Sequence, residues 1–297
     1  MADEPHRYGG RHTDDKLNRL AAYMVAYTTA LKNQGFVLAY IDAFAGSGDR
    51  AETRPALPLF DGDAAAEDIT VPGSARLALQ TDPSFDILVL IEKDDGRFAS
   101  LEKLKEEYPQ RKVVLHHGEA NDAVKALCGN VAWHESDGKT KGMRGVLFLD
   151  PYGMEVDWST IVAVAATEAI DMWCFFPLSG LYRQAARDPI RITDDKRRRL
   201  NAVLGTTDWE QHWYSTPHGQ TNLFGDEASA IRTADVNAIE AYVGKRLASV
   251  FKGAVLKPLR IYNARRAPIA SLFFAVSNPN PKAVGLAKRI AGNILKR

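Results

Sequence analysis

The 297-residue chain has only two cysteines, no apolar run of membrane-spanning length and no histidines at paired metal-ligand spacing. Each shortage excludes something. Two thiols, Cys128 and Cys174, cannot build a disulfide framework, and their apolar surroundings suit small buried hydrophobes. The longest apolar stretches, residues 36–41 and 271–276, fall far short of the ~20 residues that cross a bilayer, so no membrane association is expected. Residues 1–14 are polar and hold no apolar signal core, which predicts a cytoplasmic rather than a secreted protein. Seven scattered histidines offer no tetrahedral ligand set, so no metal site is expected.

Acids are scarce in one region. From residue 236 onward, twelve Lys and Arg stand against the single acid Glu240, a balance of +11 within an overall charge of +1. Such a split suggests that the C-terminal part faces something anionic, either another macromolecule or the rest of the chain. Otherwise the composition, 45% hydrophobic and 25% charged, is that of an ordinary globular enzyme.

The hydrophobic pattern alternates between two periods. A helix is predicted over residues 14–32, with Leu17, Leu20, Met24, Tyr27 and Leu31 on one face. A continuous apolar run over residues 36–44 suits a strand buried on both sides. A polar, proline-bearing connection follows over residues 49–72. Strands are then predicted at 85–92, 112–117, 145–150 and 170–176, separated by helices at 73–80, 97–108, 122–127 and 158–166. This rhythm implies a mostly parallel sheet with helices on both faces and the strands' carboxyl ends along one edge. It breaks over 178–235, which carries Trp209, Trp213, Pro189, Pro217 and a basic cluster at 196–199, and reads as a mainly helical insertion. It resumes with a helix at 236–251, strands at 254–262 and 269–276, and a helix at 281–295. The last two strands lie too close for a parallel crossover and should form an antiparallel hairpin. The expected organisation is an N-terminal helical segment (1–35), a core in two parts (36–177 and 236–297) and the insertion (178–235).

Four signals fall at successive strand ends. After the first strand comes Asp42-Ala43-Phe44-Ala45-Gly46-Ser47-Gly48, whose glycines allow a sharp turn and close approach of a ligand. Asp42 can accept from that turn or from a ligand amine. The loop lacks the Gly-Lys-Ser/Thr ending of a P-loop, which argues against nucleotide triphosphate hydrolysis. The second strand ends in Glu92-Lys93, where a carboxylate can take both hydroxyls of a ribose. The third leads to Glu119-Ala120, where the acid could accept from an adenine amino group and the amide donate to a ring nitrogen. The fourth ends in Asp150-Pro151-Tyr152-Gly153: the acid can accept from an attacking amine or a cofactor amino group, and the ring offers a flat face for a base. A nicotinamide-dependent oxidoreductase needs its acid ~20 residues after the glycines, and Glu92 lies much further on.

With these residues the sequence resembles the Rossmann-like, class I S-adenosylmethionine-dependent methyltransferases. The loop at 42–48 is similar to their first motif, and Asp150-Pro151-Tyr152 is similar to the D/N-P-P-Y/F motif of amino-group methylases. More narrowly it resembles the three-Cys-motif partner proteins through His12, Lys16, Leu17, Leu20 and Tyr23, then Tyr40–Gly48, residues 72–79 and residues 148–153. The resemblance covers most of the chain and is strongest before residue 180. It implies S-adenosylmethionine as cofactor, held by Asp42, Ala43, Phe44, Gly46, Ser47, Gly48, Glu92, Lys93, Glu119, Ala120 and Asp150. It also implies catalysis by Asp150 and Tyr152, and a radical S-adenosylmethionine protein as partner, which carries the cysteines this chain lacks. One departure is that the motif here has one proline where amino-methylases have two, which moves Tyr152 relative to Asp150. Two activities follow: methyl transfer, with nucleic acid as substrate through the basic C-terminal part (Arg260, Arg265 and Arg266, assisted by Arg197–Arg199), or cofactor binding in the service of a partner without methyl transfer.

Overall fold

A computed structural model describes residues 11–54, 67–216, 230–263 and 265–296. The chain opens with α1 (Arg11–Leu31), followed by β1 (Val37–Asp42), the paired strands β2 (Asp49–Arg54) and β3 (Glu67–Pro72), and α2 (Ser74–Leu79). The alternating part continues through β4 (Ile87–Glu92), α3 (Asp95–Glu106), β5 (Val113–His117), α4 (Ala120–Asn130), β6 (Met143–Leu149), α5 (Trp158–Ala166) and β7 (Ile170–Phe176). The central sheet has the order β5-β4-β1-β6-β7, all parallel by their pairing registers. Beyond it, β12 (Pro268–Val276) runs antiparallel to β7 and pairs with β10 (Ala254–Val255) and β11 (Leu259–Tyr262). Five parallel strands and a C-terminal antiparallel hairpin are thus present as expected, although the first hairpin strand is divided. Residues 256–258 separate its halves, and Pro258 has no N–H for the ladder.

The strand order reverses between β1 and β6: the chain builds outward from β1 through β4 to β5, then returns to the other side of β1. In open α/β sheets ligands bind at such a point, outside the carboxyl ends of the strands. The registers place these ends side by side, Asp42 opposite Phe148 and Leu90, and Glu92 opposite His117.

Each sheet face buries its own apolar layer. On one, α1 sets Leu17, Leu20, Tyr23, Met24 and Tyr27 against the sheet beside α2 and α10 (Pro281–Lys296). Tyr23, Trp173 and Phe274 meet there with ring centroids 4.8–5.2 Å apart. Burying aromatic area of this size is a principal stabilising contribution. The other face carries α4, α5 and α9 (Val236–Val250).

The described residues of 178–235 (178–216 and 230–235) include α6 (Leu178–Gln184), α7 (Asp194–Leu204), α8 (Trp209–Trp213) and a short antiparallel pair, β8 (Tyr214–Ser215) with β9 (Ile231–Arg232). The local chemistry explains α7: the Thr193 hydroxyl accepts from the Lys196 amide at its start, and Gly205 ends it at φ +65°. Trp209 and Trp213 are buried, and the Trp209 indole donates to Asn201 at 2.7 Å. Pro217 lies outside the described residues.

The connection over 49–72 differs from expectation. Its flanks pair as β2 and β3, with Asp49 opposite Pro72. Pro72 stands at the end of β3, whereas Pro55 and Pro58 lie outside the described residues.

Candidate functional site

Asp42 closes β1 with a fully buried side chain. It accepts from the Tyr40 hydroxyl at 3.2 Å and from the Phe44 amide at 3.3 Å. Burial pushes its pKa up to about 6, and the nearby Asp150 carboxylate adds to the rise. Asp42 therefore serves the turn. Gly46 and Gly48 both adopt positive φ, +62° and +84°. Their surroundings differ. A Cβ on Gly48 would lie 2.3 Å from Leu104 Cδ2, whereas one on Gly46 meets nothing within 4 Å. Gly48 is thus required by packing, and Gly46 turns a bare backbone toward open space. Ser47 donates to the Asp49 carbonyl at 2.6 Å, and Ala43 and Phe44 carry the chain from β1 into the turn.

Glu92, 5% exposed at the end of β4, fastens the next loop to this one. Its carboxylate accepts from the Gly46 amide at 3.0 Å, the Lys93 amide at 3.0 Å, the Asp94 amide at 2.9 Å and Arg97 Nη2 at 3.0 Å. Three of these donors go to Oε1 and one to Oε2, which leaves one acceptor direction on Oε2. Sequence reasoning read Glu92 as a ligand contact and missed its duty as a brace. Arg97, also unforeseen, reaches from α3 to Glu92 and sets its guanidinium 5.1 Å from the Tyr152 ring centroid.

Asp150 follows β6 where the strand order reverses. Lys16 Nζ, from α1, lies 2.5 Å from its Oδ2, with the two side chains 11% and 20% exposed. The same ammonium sits 4.5 Å from the Phe175 ring centroid. Lys16 and Asp150 are 134 residues apart, and nothing in the sequence spacing links them. Tyr152 is 63% exposed on the rim.

Glu119 stands exposed before α4, with Lys93 Nζ 3.6 Å away; that ammonium also reaches Glu155 at 3.3 Å. Ala120 begins α4 and is buried. Asn121, the next residue, ties two loops together. Its amide donates to the Glu155 carbonyl at 2.8 Å, and its Oδ1 accepts from the Asp157 amide at 2.9 Å and the Thr160 hydroxyl at 2.8 Å.

The structure therefore brings the glycine turn, Glu92 and Asp150 to one rim, with Glu119 and Ala120 beside them past β5. This arrangement fits an adenosyl ligand: an open glycine backbone lies beside Glu92, and Glu119 lies further along the same edge. Among the described residues no group of three or more His, Cys, Asp and Glu side chains could hold a metal, and no helix is long and apolar enough to cross a membrane. Both cysteines are free, with burial pushing each thiol up to about 12. Several cations of the basic C-terminal part are spent internally. Arg260 pairs with Glu240 and donates to Asn237 at 2.8 Å, Lys252 pairs with Glu168, and Arg246 donates to the Leu204 carbonyl at 3.0 Å.

No protein-family model matches the chain, and no curated protein matches it. Among solved structures it is similar to a protein from Legionella pneumophila, with 13% identity, covering 95% of this chain and 92% of that one, at a TM-score of 0.48. It is similar to the N-terminal domain of EvdMO1, solved in the presence of SAH and D-fucose, with 11% identity over 93% and 89% of the two chains and a TM-score of 0.42. An S-adenosylmethionine-dependent methyltransferase from Clostridium acetobutylicum gives 10% identity over 88% and 92%, with a TM-score of 0.38. The chain has a Rossmann-like mixed α/β fold with a mostly parallel central sheet.

Proposed function

We propose that this chain binds S-adenosylmethionine and transfers its methyl group. The observation that carries the reading is the Gly46–Glu92 hydrogen bond beside Asp150, at the point where strand order reverses. Glu92 would hold the ribose through its remaining acceptor direction, and Glu119 with the Ala120 amide would meet the adenine. With those contacts the adenosine end would face β4 and β5, and the sulfonium end β1 and Asp150. The cofactor supplies an electrophilic methyl group when bound. This chain's residues would orient the nucleophile: Asp150 would accept a hydrogen bond from it while the methyl group leaves the sulfonium, whose carbon–sulfur bond breaks to give a neutral thioether, so catalysis would be mostly positioning. The partners that fit the C-terminal cations without an ion pair among the described residues are nucleic acids, with Arg265 and Arg266 as phosphate contacts, and such binding should weaken steeply with salt. Incubation with radiolabelled S-adenosylmethionine and total cell DNA, RNA and protein tests transfer. Label should enter one of these pools and vanish with Asp150→Ala; label in none of them would refute transfer.

The Lys16–Asp150 pair favours a second reading. An acid already held by a lysine suits a protein that keeps the cofactor for a radical S-adenosylmethionine partner, as the three-Cys-motif resemblance implies. In that case the cofactor binds and no pool is labelled.

A further inference from the structure

The Lys16 side chain belongs to the first layer of the molecule and ends in the candidate site. Its ammonium is held from two sides, by the Asp150 carboxylate and by the face of Phe175. A carboxylate and an aromatic ring together make a site for a cation. On the proposed orientation, the cationic sulfonium of S-adenosylmethionine arrives at this same end of the cleft, whereas S-adenosylhomocysteine brings a neutral thioether. Two cations cannot share one recessed carboxylate without repulsion, and a neutral sulfur causes none.

We propose that Lys16 is a specificity-determining residue, an internal cation that competes with the sulfonium for Asp150 and so holds down the preference for S-adenosylmethionine over S-adenosylhomocysteine. This rests on the cofactor reading above. It gives α1, which carries Lys16, a part in the site.

Isothermal titration of both ligands, S-adenosylmethionine and S-adenosylhomocysteine, into the full-length protein and its Lys16→Met variant tests the idea. Methionine keeps an unbranched apolar side chain at this position and removes the charge. The expected result is that S-adenosylmethionine binds on the order of tenfold tighter to the variant while S-adenosylhomocysteine changes less than about twofold. Lys16→Arg should leave the ratio of the two affinities near that of the natural chain, and Lys16→Gln provides a second neutral variant should Lys16→Met fail to fold. If both ligands shift equally, or neither shifts, the proposal is overturned while the cofactor reading stands. If neither ligand binds the natural chain, it is the cofactor reading that fails.

Discussion

Replacing Glu92 by glutamine keeps the side-chain length and removes one acceptor oxygen and the charge. Three donors converge on Oε1, the amides of Lys93 and Asp94 and the Arg97 guanidinium, while the Gly46 amide points at Oε2. A glutamine can turn its oxygen toward the first group, and its NH2 then faces the Gly46 N–H. One charge-assisted bond is lost, a donor on the glycine turn is left without its acceptor, and Arg97 loses the nearer of its two anions, Asp94 lying 3.9 Å from its Nε. The combined cost is about 2–4 kcal/mol. In a domain of this size roughly 2–3 °C is lost per kcal/mol, so the melting midpoint should fall by about 5–10 °C. Thermal unfolding followed by circular dichroism reads this directly, with Glu119→Gln as the control. Glu119 is exposed at the same edge and should change the midpoint little. A Glu92→Gln midpoint within a degree or two of the natural chain would refute the view that this carboxylate braces the glycine turn.

Gly46→Ala should cost only about 1 kcal/mol, the left-handed strain of a side chain placed in open space, yet weaken S-adenosylmethionine tenfold or more by titration. Unchanged affinity would remove the cleft from that face. Gly48→Ala should show the opposite balance, losing about 2–3 kcal/mol in denaturant unfolding because its Cβ meets Leu104. Asp171, which accepts from the Tyr23 hydroxyl at 3.0 Å, has its pKa pushed up by burial to about 7. A raised carboxylate pKa means the folded state binds more protons than the unfolded state between pH 4 and 7, so stability falls as pH rises through that window. Asp171→Asn should therefore stabilise the protein at pH 8, by a gain on the order of 4 kcal/mol at most, and leave it unchanged near pH 3.5. Equal effects at both pH values would contradict this.

The sheet was legible because β1, β4, β6 and β7 read as apolar runs separated by amphipathic helices, and the close spacing of the last two strands announced their antiparallel pairing. The pairing of β2 with β3 was not legible, because the composition of 49–72 is dominated by its prolines and small residues rather than by the polar flanks that form the ladder. Of the site, the acids at the strand ends could be found from position alone, since parallel strands put their ends on one edge. Their partners could not. Lys16 reaches Asp150 across 134 residues, and Arg97 reaches Glu92 by a turn of α3, contacts that only the packed layers determine. The charge split of the chain was legible in number but not in use: Glu240, the one acid after residue 235, is the partner of Arg260.

On the proposed function, the edge formed by Gly46, Glu92, Glu119 and Asp150 would hold the adenosyl group of a sulfonium cofactor. Calorimetric titration of the natural chain with S-adenosylmethionine and, separately, with NAD tests it most directly. Saturable binding of S-adenosylmethionine, lost in Glu92→Ala, together with no heat from NAD is the expected result; binding of NAD, or no binding of S-adenosylmethionine to the folded natural chain, would contradict it.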